Sequence, residues 1–201
     1  MLIKICGMLD KQNILELDIL KPDLIGLIFY KGSPRFVNNN FIPDTNTSKV
    51  GVFVNESVEY ILEKVKEFNL SKIQLHGSES LAFVKKLSRY KIPIIKMFHL
   101  ENYTSNSLLE AYSPFCEYFL FDTNSKNHGG TGKKFDWQLL EDYSLSTPFI
   151  LSGGINSNDS MMIKSIQHTA FAGIDINSGF EISAGIKNVE KIKKIESISR
   201  N

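Results

Sequence analysis

Eight short apolar segments recur along the chain and predict eight buried strands. Each runs for four to six residues with little polar alternation, as expected for strands that are covered on both faces of a parallel sheet. Antiparallel hairpins are therefore not expected. The predicted strands are Leu2–Cys6, Leu24–Ile28, Lys49–Val54, Lys72–Leu75, Pro93–Lys96, Tyr118–Asp122, Phe149–Ser152 and Phe171–Ile176.

Segments with a helical repeat separate these strands. The clearest is 57–68, where the apolar residues recur every three or four positions and share one face: Val58, Ile61, Leu62, Val65 and Phe68. Several of the other segments open with Asp, Ser or Asn, which are common helix N-caps. These further predicted helices are Asp10–Leu20, Glu79–Tyr90, Asp136–Tyr143, Asn158–Gln167 and Asn188–Ile198. The segments around Pro34–Pro43 and Asn102–Ser113 have only weak helical character.

The alternation of strand and helix, repeated roughly every 25 residues, predicts βα units and a parallel sheet. Eight units favour closure into a (β/α)₈ barrel, also called a TIM barrel, which can be built from ~200 residues. The competing architecture is an open doubly wound sheet. That fold usually carries G-x-G-x-x-G after its first strand, whereas this strand ends in Cys6-Gly7-Met8. Because no linker or low-complexity tract interrupts the chain, we expect a single domain over residues 1–201.

Composition narrows the function classes. With 23 Lys and Arg against 22 Asp and Glu, the formal net charge is only +1, so nothing indicates a basic surface for nucleic acid or an anionic membrane. No apolar run approaches the roughly 20 residues of a membrane span, and the N-terminus does not resemble a signal peptide. We therefore expect a cytoplasmic protein that binds a small molecule. The two cysteines lie far apart and follow no metal-ligand spacing.

In a (β/α)₈ barrel the chemistry lies at the carboxyl ends of the strands. Gly153 and Gly154 follow the seventh predicted strand, and Asn177, Ser178 and Gly179 follow the eighth. Glycines allow close approach of backbone N–H groups to an anion, and loops seven and eight form the recurrent phosphate site of this fold. For either loop alone, a tight βα turn would be the better explanation. Together they predict a phosphate-binding site.

Two further residues at strand ends could transfer protons. Cys6 ends the first predicted strand and Asp122 ends the sixth, so a thiolate base and a carboxylic acid would face the same mouth of the barrel. The alternatives are a small buried hydrophobe for Cys6 and a loop or cap residue for Asp122.

Other strand-end loops supply candidate binding groups. Arg35 could bind a carboxylate or be an ordinary surface residue. Gln74 lies near the end of the fourth predicted strand and His76 follows it, where His76 is a substrate contact or a histidine satisfied inside the rim. The glycine-rich segment Asn127–Lys133 could close over a ligand or be a passive loop.

These motifs, in this order, resemble those of the phosphoribosylanthranilate isomerase family over essentially the full length. The matching segments are Lys4-Ile5-Cys6-Gly7, Ser33-Pro34-Arg35-Phe36-Val37, Val50-Gly51-Val52-Phe53-Val54-Asn55, Gln74-Leu75-His76-Gly77, Phe121-Asp122-Thr123 with Gly129-Gly130-Thr131-Gly132, Leu151-Ser152-Gly153-Gly154-Ile155 and Asp175-Ile176-Asn177-Ser178-Gly179-Phe180-Glu181. The chain departs from the family pattern at Asn177, Ala184 and Asn188, where serine, proline and aspartate are common. These departures flank the expected phosphate loop.

The resemblance implies an enzyme of tryptophan biosynthesis that needs no cofactor and no metal. It would carry out an Amadori rearrangement of N-(5-phosphoribosyl)anthranilate to 1-(2-carboxyphenylamino)-1-deoxyribulose 5-phosphate. Asp122 would be the general acid, Cys6 the general base and Arg35 the carboxylate ligand.

The family is compatible with monomers and homodimers. Two rival functions remain at this stage: another phosphosugar isomerase or epimerase on the same barrel, and a catalytically silent binder of phosphate ligands.

Overall fold

Eight parallel strands close into a barrel in the computed structural model, which describes residues 1–38, 42–99, 106–122, 140 and 142–199. Each strand pairs with the next in sequence, and the eighth pairs with the first, which confirms the predicted (β/α)₈ fold. The strands are β1 (Leu2–Cys6), β2 (Leu24–Ile28), β3 (Ser48–Phe53), β4 (Lys72–Leu75), β5 (Ile94–His99), β6 (Tyr118–Asp122), β7 (Phe149–Ser152) and β8 (Phe171–Ile176).

Helices cover the outside of this barrel. They are α1 (Lys11–Asp18), α2 (Val58–Phe68), α3 (Leu81–Ser88), α4 (Asn106–Tyr112), α5 (Ser160–Lys164) and α6 (Val189–Ser199). Side-chain N-caps begin several of them: Asp10 accepts from the N–H of Asn13, and Ser57 accepts from that of Tyr60. In the described part of the chain, no helix is both long enough and apolar enough to cross a membrane.

Alternate residues of each strand face the barrel interior, and the residues between them face the helices. The outward set forms the large core between sheet and helices, where aromatic rings such as Phe121 and Phe149 pack in a tilted arrangement at a centroid distance of 5.6 Å. The inward set forms a separate apolar cluster of Leu24, Val50, Ile95, Met97, Leu120 and Ile150. Above that cluster, toward the carboxyl ends of the strands, polar residues such as Gln74, Asp122 and Asp175 lie beside a small apolar cluster of Cys6, Ile28 and Val52.

A buried ion pair on the outer face fixes the loop after β4. The Nζ atom of Lys96 lies 3.0 Å from Oε2 of Glu79 and donates to the carbonyl of Gly77 at 2.7 Å. The other Glu79 oxygen accepts from the N–H groups of Asn55 and Gly77. The predicted helix start at Glu79 is thus wrong. Helix α3 begins at Leu81, because the buried carboxylate of Glu79 connects the loops after β3 and β4.

Two other local predictions are wrong. The helix expected over Asn158–Gln167 is limited to α5, because Asn156 and Asp159 form a turn: Asp159 Oδ2 accepts from the N–H of Asn156 at 2.8 Å.

The expectation of no antiparallel hairpin fails after β8. There β9 (Glu181–Ser183) pairs with β10 (Ile186–Lys187) across Gly185, whose φ of +85° suits a tight turn.

Two predictions cannot be fully compared with the structure, because their residues are largely or entirely undescribed. The expected helix Asp136–Tyr143 falls largely outside the described residues, and the loop Asn127–Lys133 does so entirely. The weak helical signal near Pro34–Pro43 corresponds to no helix in the described residues 29–38 and 42–47, whereas that near Asn102–Ser113 corresponds to α4.

We expect Gly173→Ala to destabilise the barrel at its closure. A Cβ atom at this position would lie 2.0 Å from the carbonyl oxygen of Leu2 on β1, and neither strand can move without breaking the β1–β8 ladder. Overpacking of this kind typically lowers the free energy of unfolding by about 1–3 kcal/mol, which urea denaturation would measure. The control is Gly32→Ala, whose Cβ would meet the half-exposed Tyr30 ring; an equal loss in both variants would contradict the prediction.

Candidate active site

A cavity of about 390 Å³ opens at the carboxyl ends of the strands. The ten residues predicted from the sequence to form the site all line it: Cys6, Arg35, Gln74, His76, Asp122, Gly153, Gly154, Asn177, Ser178 and Gly179. Their convergence follows from the parallel barrel, in which all eight carboxyl ends meet at one mouth.

Cys6 lies in the inner wall of this cavity and is only 5% exposed. Burial raises the pKa of its thiol, because a thiolate loses hydration there, while the nearby ammonium of Lys4 opposes the rise. Lys4 is fully buried two residues below on the same face of β1, and its Nζ atom donates to Oδ2 of Asp175 at 2.8 Å. The base candidate therefore lies next to a buried ion pair.

Asp122, at the end of β6, faces the same cavity from another wall. Its Oδ2 atom lies 3.4 Å from Nε2 of His76. The other ring nitrogen of His76, Nδ1, lies 2.9 Å from Nε2 of Gln74, which is itself buried. Gln74, His76 and Asp122 thus form a chain of polar contacts from β4 to β6 that fixes the carboxyl group of Asp122.

Arg35 and Glu181 form a two-point ion pair at the rim. Nε and Nη2 of Arg35 donate to the two carboxylate oxygens of Glu181 at 2.8 and 2.5 Å. Lys187 Nζ donates to Oε1 of Glu181 at 2.6 Å and to Oδ1 of Asn177 at 2.7 Å. Burial alone would raise the pKa of Glu181, but the hydrogen bonds from Arg35, Lys187 and the N–H of Gly185 lower it to about 2.

The two glycine loops pack against each other. Gly153 and Gly154 have φ angles of +88° and +65°, a region that favours glycine. At Gly179 a Cβ atom would lie 2.3 Å from the carbonyl oxygen of Ile155, so the loop after β8 contacts the loop after β7 at a point where no side chain fits. Both loops present backbone to the cavity, as an oxyanion site requires.

Among the residues that the structure describes, no group of three or more His, Cys, Asp or Glu side chains is arranged to hold a metal ion. The charged side chains at the cavity include two ion pairs, Lys4 with Asp175 and Arg35 with Glu181.

Comparison with known proteins shows the family of this chain. A family model described as N-(5'phosphoribosyl)anthranilate (PRA) isomerase matches residues 3–197. The N-(5'-phosphoribosyl)anthranilate isomerase of Parabacteroides distasonis is 42% identical over 200 residues, covering 96% of this chain and 90% of that protein. The enzyme of the same name from Phocaeicola vulgatus is 40% identical over 190 residues, covering 94% of this chain and 92% of that protein. This chain belongs to the phosphoribosylanthranilate isomerase family.

Solved structures of this family have the same fold as this chain. The phosphoribosyl anthranilate isomerase of Thermotoga maritima superimposes with a TM-score of 0.81 at 29% identity, covering 99% of this chain and 98% of that one. A second structure, of phosphoribosyl anthranilate isomerase in complex with reduced 1-(o-carboxyphenylamino)-1-deoxyribulose 5-phosphate, has a TM-score of 0.79 at 27% identity and covers 99% of this chain and 98% of that one.

Four residues of the site were missed as functional candidates from the sequence: Lys4, Asp175, Glu181 and Lys187. The first two lay inside predicted strands, where a continuous apolar run concealed which face they occupy. Strict alternation would have revealed Lys4, because it shares a face with Cys6. No local signal identifies Lys187, because its partners depend on the unpredicted hairpin.

The departure of this chain from the phosphoribosylanthranilate isomerase pattern at Asn177 has a structural explanation. Its side-chain oxygen accepts from Lys187, and Gly7, with φ +74°, leaves room for it: a Cβ atom at Gly7 would lie 2.8 Å from Oδ1 of Asn177 and 2.5 Å from Cδ of Arg35. Asn177 thereby connects the loop after β8 to the hairpin.

We expect Glu181→Gln to reduce the acid sensitivity of the fold. The folded-state pKa of Glu181, about 2, lies below the unfolded value of about 4.3, so its carboxylate contributes stability above the unfolded pKa and loses it as the pH falls toward 2. Urea denaturation at pH 7 and near pH 3.5 should show a smaller loss of stability for the variant than for the parent. Equal losses of stability would mean that Arg35 and Lys187 do not lower the pKa of Glu181.

Proposed function

We propose that this chain catalyses the Amadori rearrangement of N-(5-phosphoribosyl)anthranilate to 1-(2-carboxyphenylamino)-1-deoxyribulose 5-phosphate, an aldose–ketose isomerisation in tryptophan biosynthesis. The observation that carries the proposal is that one cavity contains a thiol at the end of β1, a carboxyl group at the end of β6, a rim arginine and two glycine loops. Membership of the isomerase family supports the same reaction.

The phosphate of the substrate binds at the glycine loops. Gly153, Gly154, Ser178 and Gly179 line the cavity, where glycines let main-chain N–H groups approach an anion, and Asn177 adds a polar side chain. Fixing a dianion at one end orients the sugar toward β1 and β6.

The carboxylate of the anthranilate group binds to Arg35. Glu181 occupies the Nε side of the guanidinium, which leaves the Nη1 and remaining Nη2 hydrogens as a second planar edge for a carboxylate. The ion pair thus orients Arg35 rather than neutralising its binding role.

Asp122 acts as the general acid. It donates a proton to the ribose ring oxygen while the C1–O bond breaks, and the lone pair of the anthranilate nitrogen forms the C1=N bond of an iminium ion. His76 and Gln74 hold Asp122 in place through the contacts described above. Proton donation by a positioned group contributes about 10²- to 10⁴-fold to the rate.

Cys6 acts as the general base. The iminium withdraws electrons from C2, so the thiolate of Cys6 removes the C2 proton. The C–H electron pair becomes the C1=C2 bond of an enolamine, while the π pair of the C1=N bond returns to the nitrogen. The enolamine then takes up a proton at C1 and loses one from the C2 hydroxyl, which gives the ketone. No atom is gained or lost overall, as an isomerisation requires.

We further propose that the chain acts in the cytoplasm as a monomer or homodimer, on a small phosphosugar rather than on nucleic acid or membrane. The near-zero net charge supports this choice of partner.

We expect Cys6→Ala and Asp122→Asn each to lower kcat by about 10²- to 10⁴-fold, because each removes one proton-transfer group. Purified protein is mixed with freshly generated phosphoribosylanthranilate, and the decay of anthranilate fluorescence is followed and corrected for spontaneous hydrolysis. Cys116→Ala, which removes the thiol outside the cavity, serves as the control and should retain the parent rate.

Ligand affinity distinguishes a variant that has lost proton transfer from one that has lost its structure. Both variants should bind reduced 1-(o-carboxyphenylamino)-1-deoxyribulose 5-phosphate within a few-fold of the parent, as measured by calorimetry. No turnover by a folded parent that binds phosphate ligands would refute the reaction and favour another phosphosugar substrate or a silent binder.

We expect Gly179→Ala to weaken phosphate binding selectively. The added methyl group would meet the carbonyl of Ile155 at 2.3 Å and force the two glycine loops apart. KM should rise by about tenfold or more, while the affinity for free anthranilate stays unchanged. A change in kcat with KM unaffected would show that the loops do not bind the phosphate.

A further inference from the structure

The ion pair beneath Cys6 is built by the closure of the barrel. Lys4 on β1 and Asp175 on β8 are register partners in the ladder that joins the first and last strands. Lys4 is fully buried and Asp175 is 4% exposed, so neither charge is hydrated by bulk solvent. The proposed reaction steps use neither residue, although a buried pair of this kind is costly to desolvate.

The Lys4 ammonium has donors beyond the one that binds Asp175. An ammonium carries three N–H groups, and Asp175 Oδ2 accepts one of them at 2.8 Å. The sulfur of Cys6 lies near enough to the Lys4 ammonium for its positive charge to oppose the rise in the pKa of the thiol. The ammonium therefore lies between a carboxylate and a thiol.

Gly26 on the neighbouring strand shows how closely these groups approach. A Cβ atom built on Gly26 would lie 2.8 Å from the Sγ atom of Cys6 and 3.1 Å from the Nζ atom of Lys4. Both atoms therefore border the same small volume above the Gly26 backbone, which only a residue without a side chain leaves open.

The charges around Cys6 sum to one positive charge. Lys4 and Asp175 lie below it, and Arg35, Glu181 and Lys187 lie at the rim. Three cations and two anions leave an excess of +1 next to the thiol. On the other walls of the cavity, His76 and Asp122 interact electrostatically with Asp175. A thiolate at Cys6 balances the excess charge of the group of five.

We propose that Lys4 is a positioning residue that stabilises the thiolate of Cys6, and that Asp175 holds the Lys4 ammonium in place beneath the sulfur. Because opposite charges attract strongly in a site with little water, the thiolate is favoured by Lys4 and disfavoured by Asp175. The pair therefore sets the fraction of Cys6 that can accept a proton.

The electrostatic surroundings of Cys6 are consistent with this arrangement. Burial has the largest effect and raises the pKa of the thiol. The charge of Lys4 has the next largest effect and lowers this pKa, whereas the charge of Asp175 raises it. Without Lys4 the thiol would be harder still to ionise.

The test titrates the Cys6 thiol in a Cys116→Ser background, so that one thiol remains. Thiolate absorbance near 240 nm is followed against pH, with Cys6→Ser subtracted, and the rate of alkylation by iodoacetamide is followed in parallel. We expect Lys4→Met to lower the alkylation rate below the titration midpoint by about tenfold, which equals one pKa unit. Asp175→Asn should raise it, because the repelling carboxylate is removed.

A second variant is needed because Lys4→Met leaves the Asp175 carboxylate buried without its ammonium partner, which could prevent folding. In Lys4→Met/Asp175→Asn both charges are removed, and the midpoint should still lie above that of the parent. The matched control is Lys96→Met/Glu79→Gln. It removes a buried ion pair outside the barrel, in which Nζ of Lys96 lies 3.0 Å from Oε2 of Glu79, and it should leave the Cys6 titration unchanged.

Shifts of opposite sign for Lys4→Met and Asp175→Asn would support the proposal. Shifts in the same direction, no shift, or an equal shift in the control would overturn it in favour of a purely structural pair. The consequence for turnover rests on the proposed function, but the titration needs no substrate. A normal Cys6 titration series with no isomerase activity would therefore refute the function and leave this inference standing.

Discussion

The ladder between β1 and β8 is the interaction on which the rest of the molecule depends. It closes the sheet, and it sets Lys4 beside Asp175 and Leu2 beside Gly173 in register. A one-residue slip would turn Cys6 from the interior to the helix layer, because side chains alternate between faces. The same hydrogen bonds that complete the barrel therefore also place the proposed base, its neighbouring cation and the proposed phosphate loops around a single mouth.

The interior divides into an apolar lower part and a charged upper part, and this division explains how the molecule carries so many buried charges. Stability comes from the apolar layers, inside the barrel and between the sheet and helices. The ionised groups above them are held in pairs, Lys4 with Asp175 and Arg35 with Glu181. Pairs of this kind rarely add stability relative to apolar residues, so the apolar layers account for the stability of the barrel.

The sequence allowed six strands to be predicted with their bounds, because a strand buried on both faces is an uninterrupted apolar run. The same feature concealed Lys4 and Asp175, since such a run does not show which residues face inward. The hairpin after β8 and the shortness of α5 depend on local side-chain hydrogen bonds and on the turn at Gly185, which compete with the regular pattern. The family motifs identified the lining residues, but pairings such as Arg35 with Glu181, 146 residues apart, arise only from the fold.

Arg35 shows why the pairings change the chemistry that a residue list suggests. A free rim arginine would bind any anion in many orientations. With Nε and Nη2 engaged by Glu181, and Lys187 bonded to the same carboxylate, its remaining edge points in one direction and the cluster keeps one positive charge. Under the proposed mechanism that charge faces two anions, the Cys6 thiolate and the substrate carboxylate. When Cys6 takes the C2 proton its negative charge disappears, and the cluster is then neutralised by the substrate alone.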